Sequence, residues 1–254
     1  SKKWRKGIGS PLYSLEVDCE METRLIPADQ AGIMEVAAAL RAGQVAGIPT
    51  ETVYGLAADA LNPEAVRGIF RAKGRPADNP LIVHVLGKAQ AEALAVLTPL
   101  ARTLMDAFWP GPLTLVMPRR PLVPDVVTAG LDSVAIRAPS HPVMRRVLEE
   151  SGLAIAAPSA NRSGYPSPTS ARHVVNDLNG LIPMVLDGGA CEVGLESTVA
   201  DARGAVPTVL RPGAVTPEMI AAVAGECLVA GSTLRPLKAG EAALSPGMRH
   251  RHYA

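Results

Sequence analysis

Aromatic side chains make up only 3% of the 254 residues, and the two signs of charge nearly cancel, leaving +1 net. The first scarcity removes the stacking platforms on which single-stranded RNA is commonly read. The second removes any global field toward nucleic acid or membrane, so attraction for anions must be local. Cysteine is scarce too: Cys19, Cys191 and Cys227 lie far apart, form no CxxC pair and build no disulfide framework, which fits a reducing cytoplasm. No apolar run approaches the roughly 18 residues of a membrane-spanning helix, and no segment resembles the apolar core of a signal peptide. Familiar chemical signatures are also missing. There is no GxxxxGKS or GxxxxGKT, no GxGxxG after a strand, no HExxH and no Cys/His cluster, so no resident metal is expected. Neither a Ser/His/Asp spacing nor a carboxylate pair reads as a catalytic set.

What is present is Ala, Val and Leu within a 48% hydrophobic composition, enough to bury a substantial core. Residues 1–22 are basic and then acidic and run up to Met21, which can serve as a natural start; they are taken as an N-terminal extension. From Thr23, short β-branched runs alternate with capped helical patterns. Strands are expected at 23–27, 45–50, 81–86, 112–118, 133–139, 153–161, 183–189, 196–201 and 207–213. Helices are expected after Asp29, Asn62-Pro63, Thr98-Pro99 and Thr216-Pro217, and over 141–152 and 169–180. This alternation predicts one α/β domain over residues 23–225, and the late succession of strands predicts a mixed sheet. Residues 226–254, rich in Pro, Gly and Ala, read as a linker.

Four stretches carry polar residues at strand ends, where open α/β sheets bind ligands. In "PTETVYGLAADA" (49–60), Thr50, Glu51, Thr52 and Tyr54 crowd a loop ending on Gly55; they orient a small polar ligand or satisfy a local turn. In "RAKGRPADNPLIVHV" (71–85), Lys73 and Arg75 precede the rigid Asp78-Asn79-Pro80 segment and a strand bearing His84. Two cations and an amide on a pinned loop suit a polyphosphate, although cations at a helix C-terminus also complement its dipole. A lone histidine in an apolar strand is more commonly a core residue than a ligand. The third stretch joins "VAIRAPSHP" to "APSANRSGYPSPTS": Arg137 lies in a buried-type strand and needs an anionic partner from protein or ligand. Ser159, Asn161, Ser163 and Ser167 follow in a loop able to wrap phosphate oxygens or simply to lie at the surface. The fourth comprises "GLESTVAD" and "TVLRPGAV", where Ser197 opens a strand and Arg211 ends one.

In this order, with "FWPGPLTLVM" between them, these blocks resemble the YrdC-like family of threonylcarbamoyl-AMP synthases over residues 23–225. The resemblance implies a twisted mixed parallel/antiparallel sheet flanked by helices around a large basic cavity, the YrdC-like, DHBP-synthase-like fold. It implies a nucleotidyltransferase that joins L-threonine, bicarbonate and ATP into L-threonylcarbamoyl-AMP and pyrophosphate, the first step of tRNA threonylcarbamoyladenosine modification. ATP would bring Mg²⁺ with it. Lys73, Arg75, Ser159 and Asn161 match the family's catalytic signature around the phosphates, joined on the nucleotide side by Asn79, Ser133, Ser167 and Arg211. Thr52, His84, Arg137, the backbone around Ala157, and Ser197 would hold threonine, whose carboxylate would be the anion for Arg137. The closing "SPGMRHRHYA" looks like the linker of the longer members, which carry a further C-terminal domain; Arg249 and Arg251 would meet phosphate and His252 or Tyr253 would cover the nucleotide. Expected partners are tRNA threonylcarbamoyl-transfer proteins downstream, weak RNA contact and no membrane. Two competing readings are an RNA-binding module and a carbamoyl-adenylate-forming domain acting on carbamoyl phosphate. The charge balance and few aromatics speak against the first, and the cysteine count excludes the zinc-finger segment expected with the second.

Overall fold

The computed structural model of the protein describes residues 21–231, so the 244–254 tail, Tyr253 and Cys19 lie outside the described residues. Strand β1 (Arg24–Pro27) leads into helix α1 (Gln30–Arg41), whose first turn is capped by Asp29 accepting from the Gly32 N–H. Strands β2 (Ala46–Ile48) and β3 (Gly55–Asp59) form an antiparallel pair joined by the Thr-rich loop. Helix α2 (Pro63–Lys73) opens on Asn62 with Pro63 in its first turn and ends at Gly74, whose φ of 59° is left-handed. Caps of this kind contribute about 1 kcal/mol each and explain why these boundaries are readable from sequence. Strand β4 (Ile82–His84), helices α3 (Lys88–Leu94) and α4 (Pro99–Phe108), strand β5 (Leu113–Pro118), turn-length α5 (Asp125–Thr128) and strand β6 (Ser133–Arg137) follow. The remainder comprises α6 (Pro142–Ser151), β7 (Ile155–Ala156), α7 (Ala171–Leu178), β8 (Met184–Asp187), β9 (Thr198–Asp201), β10 (Thr208–Arg211), α8 (Pro217–Ala224) and β11 (Leu228–Val229).

The strands order as β1-β8-β2-β3-β7-β4-β6-β5-β9-β10-β11 in one mixed sheet. Parallel pairs such as β4/β6 and β5/β9 alternate with antiparallel pairs such as β3/β7 and β5/β6, as the strand succession predicts. The structure adds elements to those expected. The Thr-rich loop ends on Gly55 as expected, and the rest of the 49–60 stretch is β3, a strand not among those expected and buried in mid-sheet. Its "GLAAD" sequence has low strand propensity, and burial between two partners overrides that. Helices α3 and α5 lie where no element was expected. The strand expected to run into a loop within 153–161 is Ile155–Ala156, and beyond it the backbone still pairs with the start of β3, Leu56 N–H donating to the Pro158 carbonyl and Ala160 N–H to the Tyr54 carbonyl. The sheet continues to β11, which pairs with β10 at 228–229.

Side-chain alternation places the core. Val83, Leu115, Ile136, Ala200 and Val209 pack with α2 and α4 in the main cluster on one face. Residues of α1 and α6 cover the other face near β1, β2 and β8, with Ile33, Val36, Met144 and Val147 at its centre. Over β4, β6, β5, β9 and β10 that second face carries a separate patch of Ile82, Val116, Ala135, Val199 and Leu210. Strand residues two apart share a face, so His84 follows Ile82, and Arg137 follows Ala135, onto this side. The candidate site is built there.

Candidate active site

A pocket opens here, lined by the β2–β3 loop, the ends of β4 and β6, the 157–159 segment and the residues around β9 and β10. His84 and Arg137 are register partners on β4 and β6, and both line it. At this β4–β6 end, Arg137 is completely buried and held from three sides. Its Nε donates to the Gly111 carbonyl at 3.2 Å and its Nη1 to Thr52 Oγ1 at 2.9 Å. Its Nη2 pairs with the buried Glu51 carboxylate at 2.5 Å. Burial alone would raise the Glu51 carboxyl; the Arg137 charge together with hydrogen bonds from Arg137 and from backbone N–H groups outweighs it and holds Glu51 below the usual carboxylate range. Burial, then the neighbouring Arg137 charge, pushes His84 down to about 3, so it stays neutral at physiological pH. Its Nδ1 has no hydrogen-bond partner among the described residues.

The loop between β2 and β3 fixes this end. Thr50 Oγ1 donates to the Val53 carbonyl at 2.7 Å, contacts Thr52 Oγ1 at 2.9 Å and accepts the Thr52 and Val53 N–H groups. Thr50 therefore makes the local turn, and Thr52 alone of the pair reaches Arg137. Tyr54 is buried with its hydroxyl on the Gly189 carbonyl, and burial pushes its phenol up to about 12. It anchors the loop; it does not face the cavity.

At the β9–β10 end a second buried arginine–glutamate pair appears. Arg211 Nη1 meets the Glu196 carboxylate at 2.5 Å. Its Nη2 donates to the Ser197 carbonyl at 2.9 Å and to Ser197 Oγ at 3.1 Å, while Thr114 Oγ1 sits 2.8 Å from that hydroxyl. The other Glu196 oxygen accepts from Ser167 Oγ at 2.9 Å. Arg75, reached from the C-terminus of α2, lines the cavity between the two ends. Its Nη2 donates to the Asn79 and Pro80 carbonyls at 3.4 and 3.1 Å, and its Nε has no hydrogen-bond partner among the described residues.

Eight of the expected residues line this cavity: Thr52, Arg75, His84, Arg137, Ala157, Ser159, Ser197 and Arg211. Lys73, Asn79, Ser133, Asn161 and Ser167 do not. The Lys73 ammonium donates to the Ser159 carbonyl, to the Asn161 carbonyl at 2.6 Å and toward Asn161 Oδ1 at 3.4 Å. Three acceptors match its three N–H bonds, so its position is that of a clamp on the 159–165 loop. Burial, reinforced by Arg75, lowers its pKa to about 7. Asn161 Nδ2 closes the same loop onto the Arg162 and Tyr165 carbonyls. Ser133 starts β6, four residues and roughly 13 Å of strand from Arg137. Ser167 touches the cavity only through Glu196. Expectations for Arg249, Arg251, His252 and Tyr253 fall outside the described residues.

Glu51 and Glu196 were not assigned from sequence, although both stand inside the blocks that carried the resemblance. A carboxylate in a stretch otherwise expected to be buried is the signal that could have found them, as it did for Arg137. Glu51 gives Arg137 an anion within the protein, one of the two sources the sequence left open, where the resemblance implied a threonine carboxylate. Among the described residues no cluster of three or more His, Cys, Asp or Glu side chains gathers to hold a metal ion. No described helix is long and apolar enough to cross a membrane.

Guanidiniums, hydroxyls and a neutral imidazole gather around a cavity on one face of a mixed α/β sheet, an arrangement suited to a small anion. More particularly, the sequence matches the Sua5_yciO_yrdC family, described as telomere recombination, over residues 38–213, and the chain belongs to it. A threonylcarbamoyl-AMP synthase of Pyrococcus abyssi is 50% identical over 216 residues, covering 85% of this chain and 63% of that one. One from Bacillus subtilis is 50% identical over 224 residues, covering 87% and 64%. The crystal structure of P. abyssi Sua5 complexed with L-threonine superposes with a TM-score of 0.87 at 47% identity, over 91% of this chain and 69% of that one. The chain thus spans just under two thirds of the length of the two synthases. The expected family and its mixed α/β fold are both borne out.

Proposed function

We propose that this chain forms L-threonylcarbamoyl-AMP and pyrophosphate from L-threonine, bicarbonate and ATP. The observation that carries the reading is a single cavity with Arg137 and His84 at one end and Arg75 and Arg211 beyond them, on a chain half identical to two such synthases. The β4–β6 end suits an amino acid. Arg137, pre-oriented by Gly111, Thr52 and Glu51, keeps N–H bonds for a carboxylate, and Thr52 and Ser197 offer hydroxyls to a side chain of similar polarity. Arg75, with Ser159 and Arg211, suits the phosphates.

In this reading the threonine amine attacks the bicarbonate carbon and water leaves, giving a carbamate. A carbamate oxygen then attacks the α-phosphorus of ATP, and pyrophosphate departs. The chain's contribution is placement and charge stabilisation. Held near pKa 3, His84 cannot take a proton from an ammonium at neutral pH, so it acts as a neutral hydrogen-bonding group. With no acidic cluster in the described residues and Glu196 the sole carboxylate in the cavity wall, Mg²⁺ would be held chiefly by the nucleotide's own oxygens, supplying charge neutralisation. The reading carries a cytoplasmic setting and transfer of the product to tRNA threonylcarbamoyl-transfer proteins.

The test is pyrophosphate release with all three substrates, with mass-spectrometric detection of the adenylate. Release should require both threonine and bicarbonate. ATP turnover indifferent to threonine would sink the reading.

A further inference from the structure

Both ends of the cavity hold a buried arginine–glutamate pair, but the two carboxylates differ in placement. Glu51 pairs with Arg137 without lining the cavity, whereas Glu196 is part of the wall. Among the described residues three arginines line the cavity, and two of them are paired with glutamates. Lys73 adds little to the wall, because its N–H bonds are directed at the carbonyls of Ser159 and Asn161. A triphosphate brings several negative charges to a wall that already carries one.

Glu196 has little freedom to withdraw. Arg211 holds one of its oxygens and Ser167 the other. Its backbone is pressed onto Gly213, where an added Cβ would lie 2.6 Å from the Glu196 carbonyl oxygen and 2.5 Å from the Thr198 nitrogen. The negative charge also reaches Lys73 and Arg75, whose electrostatics it influences. A polyphosphate entering beside Arg75 therefore meets a fixed carboxylate in a poorly solvated wall, where like charges repel more strongly than in water.

We propose that Glu196 makes nucleotide binding conditional on a divalent cation: its wall-mounted carboxylate disfavours the metal-free triphosphate and tolerates the metal complex. This rests on the nucleotide reading above and adds to it a specificity-determining residue. The cation arrives on the nucleotide, and Glu196 is the group that discriminates between the two forms.

Isothermal titration of the whole chain with ATP, once in EDTA and once with excess Mg²⁺, tests the proposal without any turnover. The wild-type chain should bind the magnesium complex about tenfold more tightly than metal-free ATP, or better. Glu196→Gln should bind metal-free ATP more tightly than wild type does, on the order of threefold to tenfold, and narrow the ratio accordingly. Glu196→Asp keeps the charge and should keep the preference. Should the Gln variant fail to fold, as judged by thermal melting, the wild-type and Asp arms still decide. Equal affinity for both forms in the wild type, an unchanged ratio in the Gln variant, or loss of preference in the Asp variant would each overturn the role of Glu196 while leaving nucleotide binding intact. No heat with either form of ATP would overturn the nucleotide reading itself, and the inference with it.

Discussion

The two ends of the cavity use the same chemical device in different surroundings. At the β4–β6 end, Arg137 and Glu51 are both sealed from solvent, and the arginine's other contacts are one carbonyl and one hydroxyl. At the β9–β10 end, Arg211 and Glu196 keep slightly more exposure, 12% and 8%, and the arginine leans on the Ser197 carbonyl as well. The first pair is the more dependent on its partner, because nothing else nearby can neutralise a guanidinium with so little access to water. Without its glutamate each arginine would keep one carbonyl and one hydroxyl, but only Arg211 would also keep some access to water. A buried ion pair is therefore not one kind of object; its cost when broken depends on what remains around the survivor.

Breaking each pair in turn makes the contrast measurable. Glu51→Gln leaves Arg137 charged and unpaired, and urea denaturation should show a loss of about 3–5 kcal/mol. Glu196→Gln should cost only about 1–2 kcal/mol by the same measurement, since Arg211 keeps more access to water than Arg137. Equal losses would erase the distinction between the ends. Ligand titrations sharpen it further. Arg137→Lys should weaken threonine binding by about tenfold or more while ATP binding stays nearly constant, because lysine lacks the planar fork. Arg75→Ala should do the reverse by a similar factor. Both variants weakening both ligands alike would mean that the cavity has no separate ends.

Between the ends, Lys73 offers a pH test. Its folded-state pKa is lowered to about 7, whereas an unfolded lysine keeps its proton to about 10.4. From about pH 7 to about 10 the unfolded chain thus binds more protons at this site. Wild-type stability should rise with pH there relative to Lys73→Gln, by about 1.4 kcal/mol per pH unit at most. A flat difference across that window would show that the three carbonyl-type acceptors keep the ammonium charged. The smallest effect expected is that of Thr50→Val, which removes the turn's hydrogen bonds and should lower stability by about 1 kcal/mol, with the threonine affinity shifting less than for Arg137→Lys.

Elements bounded by local chemistry were legible in the sequence. Asp29, Asn62, Thr98 and Thr216 each cap the helix expected of them, because a cap is settled within four residues. Strand β3 was not legible, since Ala-rich "GLAAD" becomes a strand only through neighbours far away in the chain. The site divides in the same way. Arg137 was flagged by its mismatch with an apolar strand, and the structure gives the mismatch a cause. Lys73 and Arg75, two residues apart and alike in charge, were expected to act together; the end of α2 sends one to the cavity and the other to a loop. No sequence pattern distinguishes them, because the difference lies in where the 159–165 loop folds back. Glu51 and Glu196 escaped for the opposite reason: each has a partner more than a dozen residues away, and an ion pair cannot be seen from one side.

The position of β3 has a mechanical consequence. It sits inside the sheet between β2 and β7, and the loop entering it carries Glu51 and Thr52. The other end of the cavity is built on β9 and β10, next to the two-residue edge strand β11, whose Leu228 and Val229 are exposed. Amide exchange should accordingly be slowest around the first end and quicken toward the second. A small amino acid, with few atoms to bind, would meet walls already rigid. A nucleotide, with many, would meet the part of the sheet it can still tighten.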